Sequence, residues 1–128
     1  MTYVETSVVI AQLLAEDRCP PESLWAETLV SSRLSEYEVW NRIHARGLGD
    51  SHGESVRLLL GRLGWLEMTP MVLARALDPW PAPLRTLDAL HLASVEFLRA
   101  QGQNVKLASY DERVIKAARR LSISLFPL

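Results

Sequence analysis

The chain has a single cysteine, Cys19, in 128 residues. That excludes an intramolecular disulfide and a cysteine-rich zinc site, and it suits a reducing compartment. No apolar run approaches the ~20 residues needed to span a bilayer. No basic stretch precedes an apolar segment near the N-terminus. Neither a membrane span nor a secretory signal is therefore expected, and the cytoplasm is the default location. A surplus of positive charge is also missing: fourteen basic side chains against fifteen acidic ones leave a formal charge of −1. Polyanion binders usually carry a basic excess, so the total does not announce nucleic acid. It does not exclude it either, because a basic rim around an acidic site cancels in the sum. Six glycines and seven prolines punctuate the chain without making it low in complexity. What remains, at 48% hydrophobic and 23% charged, is the composition of a globular protein. The expectation is one domain over residues 1–128.

Short strands alternate with helices along the chain. Residues 3–5, 29–32, 65–68, 105–109 and 123–126 read as strands. Helices are expected from about residue 8, capped by Thr6 or Ser7, and over about 22–28, 35–46, 51–63, 70–77, 86–100 and 111–121. Gly47, Gly49, Gly64 and Gly102 read as stops, and the proline-rich stretch 78–83 as a rigid loop. This alternation predicts an α/β fold with a mostly parallel sheet covered on both faces. In such sheets ligands gather outside the carboxyl ends of the strands.

Two acids fall on that edge. Glu5 ends the first strand, and Asp111 follows the strand at 105–109. Glu38 lies inside a helix, on one face with Asn41, Arg42 and Ala45. Asp88 starts a helix that is apolar nearly all round, carrying Leu90, Leu92, Val95, Phe97 and Leu98. A carboxylate there must be paired, hydrogen-bonded or metal-bound. Taken singly, each acid has an ordinary reading. Asp111 and Asp88 can cap helices, Glu38 can face solvent, and Glu5 can pair with a nearby base. Taken together, four carboxylates within ~5 Å of one another repel by about 3 kcal/mol per pair at an effective dielectric of ~20. Such a cluster needs a counter-charge. All-oxygen ligation favours Mg²⁺ or Mn²⁺, the ions of phosphoryl chemistry. Thr6, Ser7 and Ser109 are placed to orient carboxylates, and Asn41 to face the same groove. His91, one turn after Asp88, reads as a satisfied or groove-lining histidine rather than a metal ligand. The tryptophans at 25, 40, 65 and 80 suit a core or an interface.

In order along the chain, Tyr3-Val4-Glu5-Thr6-Ser7-Val8, Ser31-Ser32-Arg33-Leu34 with Tyr37-Glu38-Val39, Leu84-Arg85-Thr86-Leu87-Asp88-Ala89-Leu90-His91-Leu92-Ala93 and Ser109-Tyr110-Asp111-Glu112-Arg113 resemble the motifs of PIN domains of the VapC type. The ordered set is specific where each motif alone is weak. The resemblance implies a three-layer fold around a parallel five-stranded sheet of order 3-2-1-4-5. It implies a metal-dependent endoribonuclease, the toxin of a type II toxin–antitoxin pair, that forms homodimers and is silenced by a cognate antitoxin. It carries Glu5, Glu38, Asp88 and Asp111 over as the catalytic and metal-binding acids, with RNA as substrate. Position 5 departs from the family pattern, where Asp is usual. The extra methylene predicts imperfect metal geometry, and Glu5→Asp is then expected to raise Mg²⁺-supported cleavage. The alternative is a PIN-like module that binds RNA or antitoxin without cutting. A phospho-receiver domain is disfavoured, because its acidic pair and central aspartate are not found.

Overall fold

A computed structural model describes residues 1–128. Five short parallel strands form one sheet: β1 (Thr2–Val4), β2 (Leu29–Ser32), β3 (Gly64–Leu66), β4 (Lys106–Ala108) and β5 (Ser124–Leu125). Their order is β3-β2-β1-β4-β5, as the family resemblance implied. Tyr3 pairs with Val30 on one side and Leu107 on the other, so β1 is central. The chain builds outward from β1 through β2 to β3, then returns to its other side for β4. The switch therefore falls between β1 and β4, where their carboxyl ends leave a crevice.

Alternation along each strand sends side chains to both faces. Val4 and Ala108 join one apolar cluster, whose other members include Val8 and Val9 of α1 (Thr6–Leu13), Val39 and Ile43 of α3 (Arg33–Ala45) and Val56 and Leu60 of α4 (Gly49–Leu60). Tyr3 and Leu107 join the opposite one, with Leu92, Val95 and Leu98 of α6 (Thr86–Ala100) and Val114, Ala117 and Ala118 of α7 (Glu112–Arg120). The short α2 (Glu22–Trp25) leads into β2, and α5 (Pro70–Ala76) packs on α6. No helix is long and apolar enough to cross a membrane.

Element limits differ from expectation where a side chain captures the backbone. Strand β1 ends at Val4, because Glu5 itself caps α1 in place of Thr6 or Ser7, its carboxylate accepting from Ser7 N–H. Ser32 caps α3, so that helix starts at Arg33. Gly47 and Gly102 follow α3 and α6 with φ of 66° and 83°, the left-handed conformation expected of such stops. Gly49 instead opens α4, and Gly64 opens β3. Cys19 is exposed.

Each of the four tryptophans is half-buried under an arginine. Arg62, Arg57, Arg33 and Arg75 lie over Trp25, Trp40, Trp65 and Trp80, with Arg75 closest at 3.7 Å from the ring centroid. One face of each ring is therefore covered by a cation–π contact.

Candidate active site

A groove of about 590 Å³ opens at the carboxyl ends of β1 and β4, and it brings together Glu5, Glu38, Asp88 and Asp111. Ile10 and Leu87 are its only hydrophobic lining residues, so it suits a charged ligand better than an apolar one. With Glu16, five carboxylates line it against the guanidiniums of Arg18, Arg42 and Arg85, leaving a formal deficit of two positive charges.

Glu5 is 6% exposed, and one of its oxygens gathers three donors. Oε2 accepts from Ser7 N–H at 3.0 Å, from the Ser7 hydroxyl, and from the Ser109 hydroxyl at 3.1 Å. The same serines reach across the switch point. Ser7 Oγ accepts from Tyr110 N–H at 2.9 Å, and Ser109 Oγ accepts from Asp111 N–H at 3.0 Å. The expected orienting roles of Ser7 and Ser109 thus have a geometry, tying the β1–α1 turn to the β4–α7 turn. Asp111 does cap its helix, accepting from Arg113 N–H and Val114 N–H with Oδ1, while Oδ2 faces Arg85 Nη2 at 3.4 Å. Asp88 stands at the third position of α6. Its Oδ2 accepts from Arg85 N–H at 3.2 Å, the reciprocal half of a capping box, and lies 3.5 Å from Arg85 Nε.

Glu38 belongs to a second network, beneath the first. Its Oε1 accepts from Thr6 Oγ1 at 2.8 Å and from His91 Nε2 at 2.6 Å. His91 is 1% exposed, and its Nδ1 meets the Tyr3 hydroxyl at 2.7 Å. Burial raises the Tyr3 hydroxyl well above the usual phenol range, so it stays protonated. Burial alone would lower the His91 value. The hydrogen bond to Glu38, with the fields of Glu5, Glu38 and Asp88, outweighs it and holds the imidazole above its ordinary range. Burial likewise works against the Glu38 carboxylate, but its bonds to His91 and Thr6 hold its value below the usual one. An ionised carboxylate can only accept, so His91 carries its proton on Nε2.

Asn41 is not among the residues that line the groove, and Arg42 lines the wall in its place. Both share a broad face with Glu38. Four residues along a helix is an offset of about 40°, closer in azimuth than the roughly 60° of three residues on the other side. Arg33 points away, pairing with Glu67 at 2.8 Å and with Glu36. His91 and Arg85 are the residues most easily undervalued from sequence. The available signal was their spacing of three on either side of Asp88.

As they stand, no three His, Cys, Asp or Glu side chains converge tightly enough to share one metal ion. Glu5, Glu38, Asp88 and Asp111 each already hold a protein partner. The donor set nevertheless fits a hard cation. Glu5 Oε1, Glu38 Oε2 and Asp88 Oδ1 accept no protein hydrogen bond, each acid having committed only its other oxygen.

A parallel 3-2-1-4-5 sheet with these acids at its switch point places the molecule in a known class. The chain belongs to the PIN-domain family, which it matches over residues 2–120. Within that family it is of the VapC type. It is 29% identical over 128 residues to Ribonuclease VapC47 of Mycobacterium tuberculosis, covering 94% of this chain and 92% of that protein. It is 30% identical over 127 residues to Ribonuclease VapC46 of the same species, covering 96% and 94%. In fold it is similar to a chain of a solved toxin–antitoxin complex from Klebsiella pneumoniae, with a TM-score of 0.73 at 16% identity, spanning 100% of this chain and 98% of that one.

Proposed function

We propose that this chain is a single-domain, cytoplasmic endoribonuclease that uses Mg²⁺ or Mn²⁺, the toxin of a type II toxin–antitoxin pair restrained by a cognate antitoxin protein. The observation that carries this reading is the polar groove at the β1/β4 switch point, lined by Glu5, Glu38, Asp88 and Asp111 and short of positive charge. Its relatives' names point to the same substrate. The free oxygens of Glu5, Glu38 and Asp88, with Asp111 Oδ2, would hold the cation. When bound, it supplies Lewis-acid stabilisation of charge on a phosphodiester. The chain's own residues do the rest. Ser7 and Ser109 lock Glu5, Thr6 and His91 lock Glu38, and Arg18 and Arg42 offer phosphate contacts on the groove wall. Incubation of pooled RNA with Mg²⁺ or Mn²⁺, with an EDTA control and mapped fragment ends, tests the proposal. Metal-dependent cuts at defined positions are expected, and RNA left intact in both metals overturns it. The binding-only alternative draws on a specific feature, the pairing of Arg85 with Asp88 and Asp111. Retained RNA affinity without cleavage would favour it.

The hydrogen bonds around Glu5 support the opposite sign for Glu5→Asp, that of a backbone adapted to glutamate. Three donors meet one oxygen of the longer side chain, so the turn is fitted to glutamate. Aspartate draws the carboxylate back from Ser109 by more than about 1 Å, beyond the ~0.5 Å that a positioned site tolerates. Single-turnover Mg²⁺ cleavage is therefore expected to fall by about tenfold, or ~1.4 kcal/mol of barrier. Equal or faster cleavage by Glu5→Asp restores the imperfect-geometry view.

Homodimer formation is part of the same proposal. Leu73, Leu77, Trp80, Leu84 and Leu90 line an apolar groove between α5 and α6, and Leu77 is 88% exposed. Sedimentation at micromolar concentrations is expected to show a dimer, and Leu77→Asp a monomer of unchanged circular dichroism. A wild-type monomer at every concentration removes this part.

A further inference from the structure

Arg85 is the only guanidinium that spans two acids of the groove. Its Nη2 lies 3.4 Å from Asp111 Oδ2 and its Nε 3.5 Å from Asp88 Oδ2, which joins the starts of α6 and α7. These contacts are longer than the 2.7–2.9 Å of tight charge-assisted pairs. Its side chain is 64% exposed, whereas those of Asp88 and Asp111 are 8% and 21% exposed. Arg75 is different: 26% exposed, it is clamped between Trp80 and Glu96. Arg85 has no aromatic face over it and no third partner. Its backbone N–H is fixed on Asp88, so the helix start stays in place whichever way the guanidinium turns.

Resting on the nuclease reading above, we infer that Arg85 is the resident counter-ion of the groove: it stands in for a divalent cation between Asp88 and Asp111, and when a cation takes those oxygens it swings out to hold a phosphate of the RNA strand. The two cations compete for Asp111 Oδ2 and lie against the same Asp88 carboxylate, where they repel each other, so both cannot sit between the two acids. Displacement costs little, because the guanidinium is largely hydrated where it lies and exposed pairs are weak. Once released, a planar fork of donors remains at the mouth of the groove, matched to a phosphate. Arg85 is thus a positioning residue with two successive partners, and cation binding and strand binding are coupled through it.

The test measures both partners. Mn²⁺ affinity is read from the electron paramagnetic resonance signal of the free ion. Arg85→Ala and Arg85→Gln are expected to tighten it about five- to tenfold, the equivalent of losing one or two exposed ion-pair contacts. Arg42→Ala removes the same charge from the same groove at a residue that makes no salt bridge to an acid and acts on Glu38 only at a distance, and is expected to shift it by less than about twofold. RNA affinity is read with a fluorescent twenty-nucleotide RNA of random sequence, with Ca²⁺ replacing Mg²⁺. In Arg85→Ala it is expected to weaken, with the slope against log salt reduced by about 0.7 for one lost phosphate contact. Opposite signs in the two measurements separate this role from a structural one, which would weaken both. Unchanged or weaker Mn²⁺ binding in both Arg85 variants overturns the counter-ion role, and an unchanged RNA slope overturns the phosphate role. Asp88→Asn distinguishes the layers. If it binds Mn²⁺ as well as the wild type does, Asp88 is not part of the cation site and this inference falls, while the nuclease reading falls separately, on RNA left intact in both metals. If it loses Mn²⁺ while the Arg85 variants do not gain, only the inference falls.

Discussion

Asp88→Asn is expected to abolish metal-dependent RNA cleavage, by more than about a hundredfold or ~2.7 kcal/mol of barrier, while leaving the metal-free fold in place. The two halves follow from different oxygens of one side chain. Oδ2 serves the fold, accepting from Arg85 N–H, and an asparagine carbonyl accepts the same bond. Oδ1 has no protein partner and belongs to the groove. The amide loses the charge that attracts a cation and the ion pair with Arg85, and that pair is worth at most about 1 kcal/mol where one partner is so exposed. In thermal unfolding, Mg²⁺ or Mn²⁺ should raise the melting temperature of the wild type by mass action. It should not raise that of Asp88→Asn, whose metal-free midpoint should match the wild type to within about 1 kcal/mol of stability. A preserved metal response in the variant would take Asp88 out of the site. A collapse of the metal-free protein would show that the carboxylate is structural first.

His91→Ala should act in the opposite order, on stability before activity. The imidazole is 1% exposed and joins Tyr3, Thr6 and Glu38, three elements' worth of polar groups, in one buried cluster. Truncation leaves a cavity beside α6, the Tyr3 hydroxyl with Ser32 N–H as its remaining partner, and the Glu38 carboxylate without its shortest hydrogen bond. Cavity formation and the lost buried hydrogen bonds to Tyr3 and Glu38 together cost about 3 kcal/mol or more, several tens of percent of a typical domain's stability. Urea denaturation in EDTA should show this loss as a lower midpoint at unchanged slope. His91→Gln keeps a donor and an acceptor and should recover part of the loss. A loss below about 1 kcal/mol in His91→Ala would mean that water replaces the ring at little cost.

Local pattern settled much of this protein. The limits of α6 were readable because an apolar helical run follows a proline-rich loop and ends in Gly102 with positive φ. Alternating strands and helices demanded a parallel sheet, and a parallel sheet sends the residues after β1 and β4 to one edge, which is why Glu5 and Asp111 could be placed without coordinates. Tertiary structure decided how each acid is held. Glu5 depends on a serine 104 positions away, and Glu38 on a histidine 53 positions away. Whether Arg42 or Asn41 lines the groove turned on a modest difference in azimuth that only packing fixes. The bridge from Arg85 to Asp111 spans two helix starts that meet only after the sheet closes. Periodicity is a property of neighbours a few residues apart and survives in the sequence. A carboxylate's partners are chosen by whichever donors the fold delivers, and those come from the far end of the chain.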